Sequence, residues 1–209
     1  MPVGLPKVPF RIPGDEDASW VDLYNRLYRK RILFLGDEID EELGNTIVGI
    51  ITYLSIEDEN PDIFLFINSP GGEVLPGLAI YDSVSNSPPD VNTICMGTAA
   101  SMACLILTGG AITKRIAFAN GRVLMHQPYI DIPLLEEIMP PSFYVNEILE
   151  IRDRIILSYA QRTKQPEVVI CLDIQRDVLM SAEEAKRYGI IDSISLDEIK
   201  GLAPFLPSS

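Results

Sequence analysis

Apolar residues along this chain alternate between short solid runs and stripes at helical spacing. ILFLG (Ile32–Gly36), IFLFINS (Ile63–Ser69) and NTICMG (Asn92–Gly97) are apolar on successive positions, the pattern of strands buried on both faces. Between them, Leu43, Ile47, Ile50, Ile51 and Leu54 recur at helical spacing and predict a helix over Asp40–Ser55. Asp40 is its expected N-cap, with Glu41 and Glu42 in the first turn. A second helix is predicted over Pro76–Val84, with Pro76 suited to the first helical position, and a third opens at Ser101. Trp20, Leu23, Leu27 and Tyr28 predict a helix ahead of the first strand, with the cations Arg29, Lys30 and Arg31 at its C-terminal end. Strands that alternate with helices in this way predict an α/β fold with a parallel sheet covered by helices.

The second half breaks the rhythm. IAFANGRVLMH (Ile116–His126) reads as a hairpin whose Asn120-Gly121 pair suits a type I′ turn. A long amphipathic helix comes next, over about Ser142–Arg162, with Val145, Ile148, Leu149, Ile155, Ile156 and Tyr159 on one side. Ser181-Ala-Glu-Glu184 is a capping box that starts a last short helix, Gly189 ends it, and Ile190–Ile194 is a final strand. Residues 1–18, punctuated by Pro2, Pro6, Pro9 and Pro13, form an extended arm, 19–195 a single domain, and 196–209 a loose tail.

A net charge of −13 and a pI near 4.4 argue against nucleic acid or an anionic membrane surface as a partner. No apolar run approaches the roughly 20 residues of a membrane span. Cys95, Cys104 and Cys171 are odd in number and lack C-x-x-C spacing, so all three are expected as free, buried thiols in a reducing compartment. The opening residues show neither a secretory signal nor a transit peptide, so if an organelle is involved the protein is expected to be made inside it.

Chemistry is narrowed most by the single histidine, His126. It excludes zinc sites built on several histidines, and any serine chemistry with an imidazole base must use it. Ser101 sits at a strand-to-helix turn among Gly97, Thr98, Ala99 and Ala100. Small residues there permit a sharp turn and close approach to the hydroxyl, as in a nucleophile elbow, while a plain helix cap is the simpler reading. Ser69-Pro-Gly-Gly72 comes directly after a strand, and its glycines permit positive φ and close backbone approach, either for a turn alone or to aim an N–H at an oxyanion. Asp173, Asp177 and Asp192 are all candidates for the acid partner, and spacing does not choose among them. Asp177 is expected near a strand end and partly buried.

INSPGG (Ile67–Gly72), IYD (Ile80–Asp82), GTAASMA (Gly97–Ala103), RVLMHQP (Arg122–Pro128), QRDVLMSAEEA (Gln175–Ala185) and YGIIDSI (Tyr188–Ile194) occur in an order that resembles the proteolytic subunit of the Clp protease, a serine peptidase family. The opening MPVGLPKVPFR looks like the plastid-encoded form. The resemblance implies a right-handed β-α-β superhelix, shared with the crotonases, with a projecting handle region over about 127–163. It implies Ser101 as nucleophile, His126 as general base, Asp177 as the residue that orients the imidazole, and an oxyanion hole from the N–H groups of Gly72 and Met102. Gly71, Gly72 and Tyr129 would hold substrate. No metal or organic cofactor is implied. Implied partners are related subunits in a double heptameric ring, an Hsp100-type ATPase chaperone and the unfolded chains it delivers, in the chloroplast stroma.

The chain departs from the family pattern in places. YIDIPLLEEIMPP (Tyr129–Pro141) stands where the family carries a Gly-Gly pair, and Pro133 is expected to disturb strand pairing across the rings. Asn86 replaces a common aromatic residue, and Ala103 a common glycine. These departures motivate a second expectation, a structural ring subunit with little turnover of its own. A third is a crotonase-type acyl-CoA enzyme, which would not need Ser101.

Overall fold

The computed structural model describes residues 6–10, 19–127 and 141–194. Nine strands are found among them: β1 (Lys7–Phe10), β2 (Ser19–Asp22), β3 (Ile32–Leu35), β4 (Ile63–Ser69), β5 (Val91–Ala100), β6 (Arg115–Ala117), β7 (Arg122–Met125), β8 (Val178–Ser181) and β9 (Ser193–Ile194). The helices are α1 (Leu23–Tyr28), α2 (Glu41–Glu57), α3 (Val74–Asn86), α4 (Met102–Gly109), α5 (Pro141–Thr163), α6 (Glu167–Gln175) and α7 (Ala182–Tyr188). β1 and β2 form an antiparallel ribbon. The other seven strands form one sheet in which β3, β4, β5, β6 and β9 run parallel in that order. The α/β reading therefore holds.

The run from β3 to β5 is parallel because its strands are separated by helices that each bury a stripe. Ile47, Ile51 and Leu54 of α2 are buried, as are Ile80, Tyr81 and Val84 of α3 and every residue of α4. The expected caps form. Asp40 accepts the Leu43 N–H at 2.8 Å, and Ser181 and Glu184 close the capping box. Gly189 ends α7 in the left-handed conformation.

Several expectations are corrected. Ile116–His126 is not a hairpin: β6 and β7 both pair in parallel with β5, β6 along Thr93–Cys95 and β7 along Thr98–Ala100. A type I′ turn needs positive φ at both central residues, and neither Asn120 nor Gly121 has it. The segment closes with a Gly121 N–H to Phe118 carbonyl bond and then continues in its first direction. The antiparallel partner of β7 is β8, from far along the chain. Trp20 lies in β2, where it pairs with Pro9, and the helix after it starts only at Leu23. α3 starts two residues ahead of Pro76, the last strand shrinks to Ser193–Ile194, and α6 has no counterpart among the expected elements.

α5 carries its apolar side unevenly. Ile151, Ile155, Ile156 and Tyr159 are buried against the body, whereas Val145 and Leu149 are about half exposed at 51% and 47%. No helix among the described residues is long and apolar enough to cross a membrane. Pro133 and the tail 196–209 lie outside the described residues.

All three cysteines are free, but only two are buried. Burial pushes the Cys104 thiol up to about 12 and that of Cys95 to about 11, so both are protonated at neutral pH. Cys171 on α6 is half-buried and accepts a hydrogen bond from Arg152 at 3.2 Å. A maleimide should therefore modify Cys171 alone in the native protein and all three thiols in denaturant, as read by peptide mass spectrometry. Comparable labelling of Cys104 in the native state would contradict this core.

Candidate active site

β5 is the strand from which the site is built. Its pairing with β4 slips, so that Ile67 faces Cys95 but Ser69 already faces Ala99. The extra residues on β5 form a bulge at Met96–Thr98, and a bulge bends its strand and re-aims the residues beyond it. Gly97 sits there with φ 113°, and a Cβ on it would lie 2.4 Å from Asn68 Oδ1. Asn68 fills the gap by accepting the Thr98 N–H at 3.0 Å. The strand then regains pairing with β7 and delivers Ser101 at its end.

Ser101 occupies the N-cap position of α4 with φ 53° and ψ −122°, outside the conformations an L-residue favours. Its side chain makes no cap hydrogen bond. The hydroxyl is thus not used for the helix, and the backbone bears strain that a cap does not require; such strain is worth on the order of 1–3 kcal/mol and clusters at functional sites. The Ser101 N–H is already committed, donating to the Leu124 carbonyl of β7 at 3.0 Å. The next N–H, that of Met102, heads the helix and has no carbonyl behind it to accept it.

The SPGG loop is pressed against this turn. A Cβ on Gly71 would lie 2.7 Å from Ser101 Cβ, and one on Gly72 would lie 2.2 Å from the Ile39 carbonyl oxygen. With φ values of 93° and 151°, both positions require glycine. Ser69, itself buried, holds the loop: its hydroxyl donates to the Asp37 carbonyl at 2.6 Å and accepts the Gly71 N–H at 3.1 Å. On the other side, the Ile39 N–H donates to the Gly71 carbonyl and the Glu73 N–H donates to the Ile39 carbonyl, each at 2.8 Å. This pattern uses the groups flanking Gly72 and turns the Gly72 N–H away from Ile39. Of the two glycines, Gly71 has its N–H and carbonyl engaged within the protein, so Gly72 is the one with main-chain groups to offer. Ser69 and Ile39 are functional supports that sequence reasoning missed, although Ser69 stands within the INSPGG motif.

His126 lies just past β7, two residues beyond the Leu124 that accepts the Ser101 N–H. Its Nε2 lies 3.6 Å from Asp177 Oδ1. That is an ion-pair separation, not yet a hydrogen bond. Asp177 has φ 55°, just past the end of α6, and is 60% exposed at the side chain rather than partly buried as expected. The other two candidate acids are occupied elsewhere. Asp173 is 4% exposed and accepts from Tyr188 and Arg176, while Asp192 binds Arg115 at 2.6 and 2.9 Å and accepts its main-chain N–H. Tyr129 and the rest of the 128–140 segment lie outside the described residues.

The structure thus brings Gly71, Gly72, Ser101 and Met102 together, and His126 beside Asp177. Replacing Ser101 separates strain from chemistry. Ser101→Gly should be more stable than Ser101→Ala by about 1 kcal/mol, because glycine tolerates this φ and alanine does not. Thermal unfolding of the two variants checks this, and equal or reversed midpoints would show the turn to be unstrained.

Comparisons with known proteins bear on the family to which the chain belongs. The family model described as Clp protease matches residues 14–198. The chain is 56% identical over 200 residues to a protein of Psilotum nudum named ATP-dependent Clp protease proteolytic subunit, with 94% of this chain and 99% of that one covered. Proteins of the same name from Helianthus annuus and Nicotiana tabacum are each 54% identical, over 94% of this chain and their whole length. A family model spanning most of the chain, and relatives this similar end to end, establish that the chain belongs to the Clp protease family.

Proposed function

We propose that this protein is the proteolytic subunit of an ATP-dependent Clp protease, a serine endopeptidase that uses Ser101, His126 and Asp177. The observation that carries the reading is the strained Ser101, with an unused hydroxyl, pressed against Gly71 at the head of α4, where the N–H groups of Met102 and of the next loop residue, Gly72, are proposed to act. Those groups fit the need of acyl transfer, in which a carbonyl oxygen becomes an oxyanion as the nucleophile adds.

Ser101 Oγ adds to the peptide carbonyl carbon while an imidazole nitrogen of His126 takes its proton. Asp177 faces the other side of the ring and stabilises the imidazolium that forms. The oxyanion rests on the Gly72 and Met102 N–H groups, each worth about 3 kcal/mol in the transition state. His126 then protonates the leaving amine, and the acyl-enzyme is hydrolysed by a water that His126 activates. The Gly72 carbonyl and Tyr129 are proposed to hold the substrate chain. The His126–Asp177 contact has to shorten by roughly half an ångström to reach hydrogen-bond length, which is usual for a site without substrate.

The partners come from the same reading: related subunits in a double heptameric ring and an Hsp100-type ATPase that feeds unfolded chains into it. The exposed apolar residues Val145 and Leu149 on α5 support a partner ring. The named plant relatives support a plastid origin, and the stroma is the proposed location. The 3.6 Å separation of His126 and Asp177 favours one second reading, a ring subunit with little turnover of its own.

Treating the assembled complex with a fluorophosphonate probe distinguishes the two. The adduct should form on Ser101 and be lost in His126→Ala. If sister subunits label while Ser101 stays unmodified, the protein is a scaffold.

A further inference from the structure

Asp173 is out of place by the ordinary rules of burial. On α6 it shares the buried stripe with Ile170 and Ile174, where an apolar residue is expected. A buried carboxylate is costly, and exchanging such a group for a well-packed apolar one is often neutral or stabilising. Its partners show what it holds. Tyr188, the last residue of α7, donates its hydroxyl to Asp173 Oδ2 at 2.6 Å. Arg176 donates to Asp173 Oδ1 at 2.5 Å from its side chain and to the Asp173 carbonyl at 3.3 Å from its main chain. Burial, and then the adjoining carboxylate, push the Tyr188 phenol up, so it remains a donor throughout the working pH range.

These bonds end one residue short of Asp177. Tyr188 is itself fixed, since Gln165 donates to its carbonyl at 3.1 Å. From the same end of α6, the Ile174 carbonyl accepts the Gln127 N–H at 2.8 Å, one residue past His126. Met125 and Val178 pair across β7 and β8 on the other side. The C-terminal end of α6 therefore grips both chains that carry the dyad, and the Tyr188–Asp173 bond anchors that end to α7.

We infer that Tyr188 and Asp173 are positioning residues: their buried hydrogen bond sets Asp177 against His126 for catalysis. Neither touches substrate. The inference rests on the proposed role of Asp177, and a double-mutant cycle separates the two. The readout is fluorophosphonate labelling of Ser101 in the assembled complex, with the adduct located by peptide mass spectrometry and the kinetics resolved into a maximal rate and a half-saturating concentration.

Asp177→Asn keeps a residue that tolerates positive φ and removes the charge. It should lower the maximal rate at least 100-fold; no loss would overturn the Asp177 reading and the inference with it. Tyr188→Phe removes one hydroxyl and should lower the maximal rate roughly 10-fold at unchanged half-saturation, in line with the cost of small misplacements in a catalytic array. Added to Asp177→Asn, it should cost nothing more, because its effect runs through Asp177. Asp173→Ala is the second variant and should behave alike. An equal loss in both backgrounds, or no loss from either variant in an intact ring, overturns the inference while leaving Asp177 in place. Asp62→Asn, which weakens the Lys114 ion pair at the far end of β4, is the control for plain destabilisation and should leave the maximal rate unchanged.

Discussion

The close approach of the SPGG loop to the end of β5 is the constraint on which the site depends. Gly71 lies so near Ser101 that a single added carbon would meet its Cβ. The surrounding groups all serve to permit this contact. The bulge at Met96–Thr98 turns the strand, Asn68 fills the space the bulge opens, and Ser69 and Ile39 use the loop's other polar groups. The Ser101 hydroxyl and the main-chain groups of Gly72 are left over. Satisfying the neighbouring groups internally while leaving these free is the arrangement that the proposed oxyanion site requires.

The acids are divided by the same logic. The three candidate aspartates all lie in the C-terminal third, and burial sorts them. Asp192 is locked to Arg115, which also donates to the Gly189 carbonyl and so ties β6 to the end of α7. Asp173 is locked to Tyr188 and Arg176. Asp177 is exposed and faces the one histidine. A carboxylate held at 3.6 Å can close on the imidazole with little rearrangement, whereas the other two would first have to abandon buried partners, at a cost of several kcal/mol.

Much of this was legible in the residues. Solid apolar runs and helical stripes pointed to the parallel sheet, because each period reflects which faces are buried. Asp40, Ser181 and Gly189 marked helix ends through local hydrogen-bonding chemistry. The single histidine and the small residues before Ser101 pointed to the site. Features set by distant parts of the chain escaped. Asn120-Gly121 looks like a hairpin turn, but β5 offers both flanking strands a parallel edge, and pairing with it decides their direction. Trp20 fits a helical stripe, yet the β1 ribbon recruits it. The identity of the free acid was hidden because it depends on which aspartates find buried partners. The role of Ser69 was hidden because its partner, the Asp37 carbonyl, is 32 residues away.

The most direct test of the account is a structure of the assembled complex with a phosphonate bonded to Ser101 Oγ. The phosphonyl oxygen should lie about 2.7–3.1 Å from the backbone nitrogens of Gly72 and Met102, the range expected of an oxyanion hole. An oxygen that points to solvent, or that is held by other groups while the Gly72 N–H faces elsewhere, would contradict it.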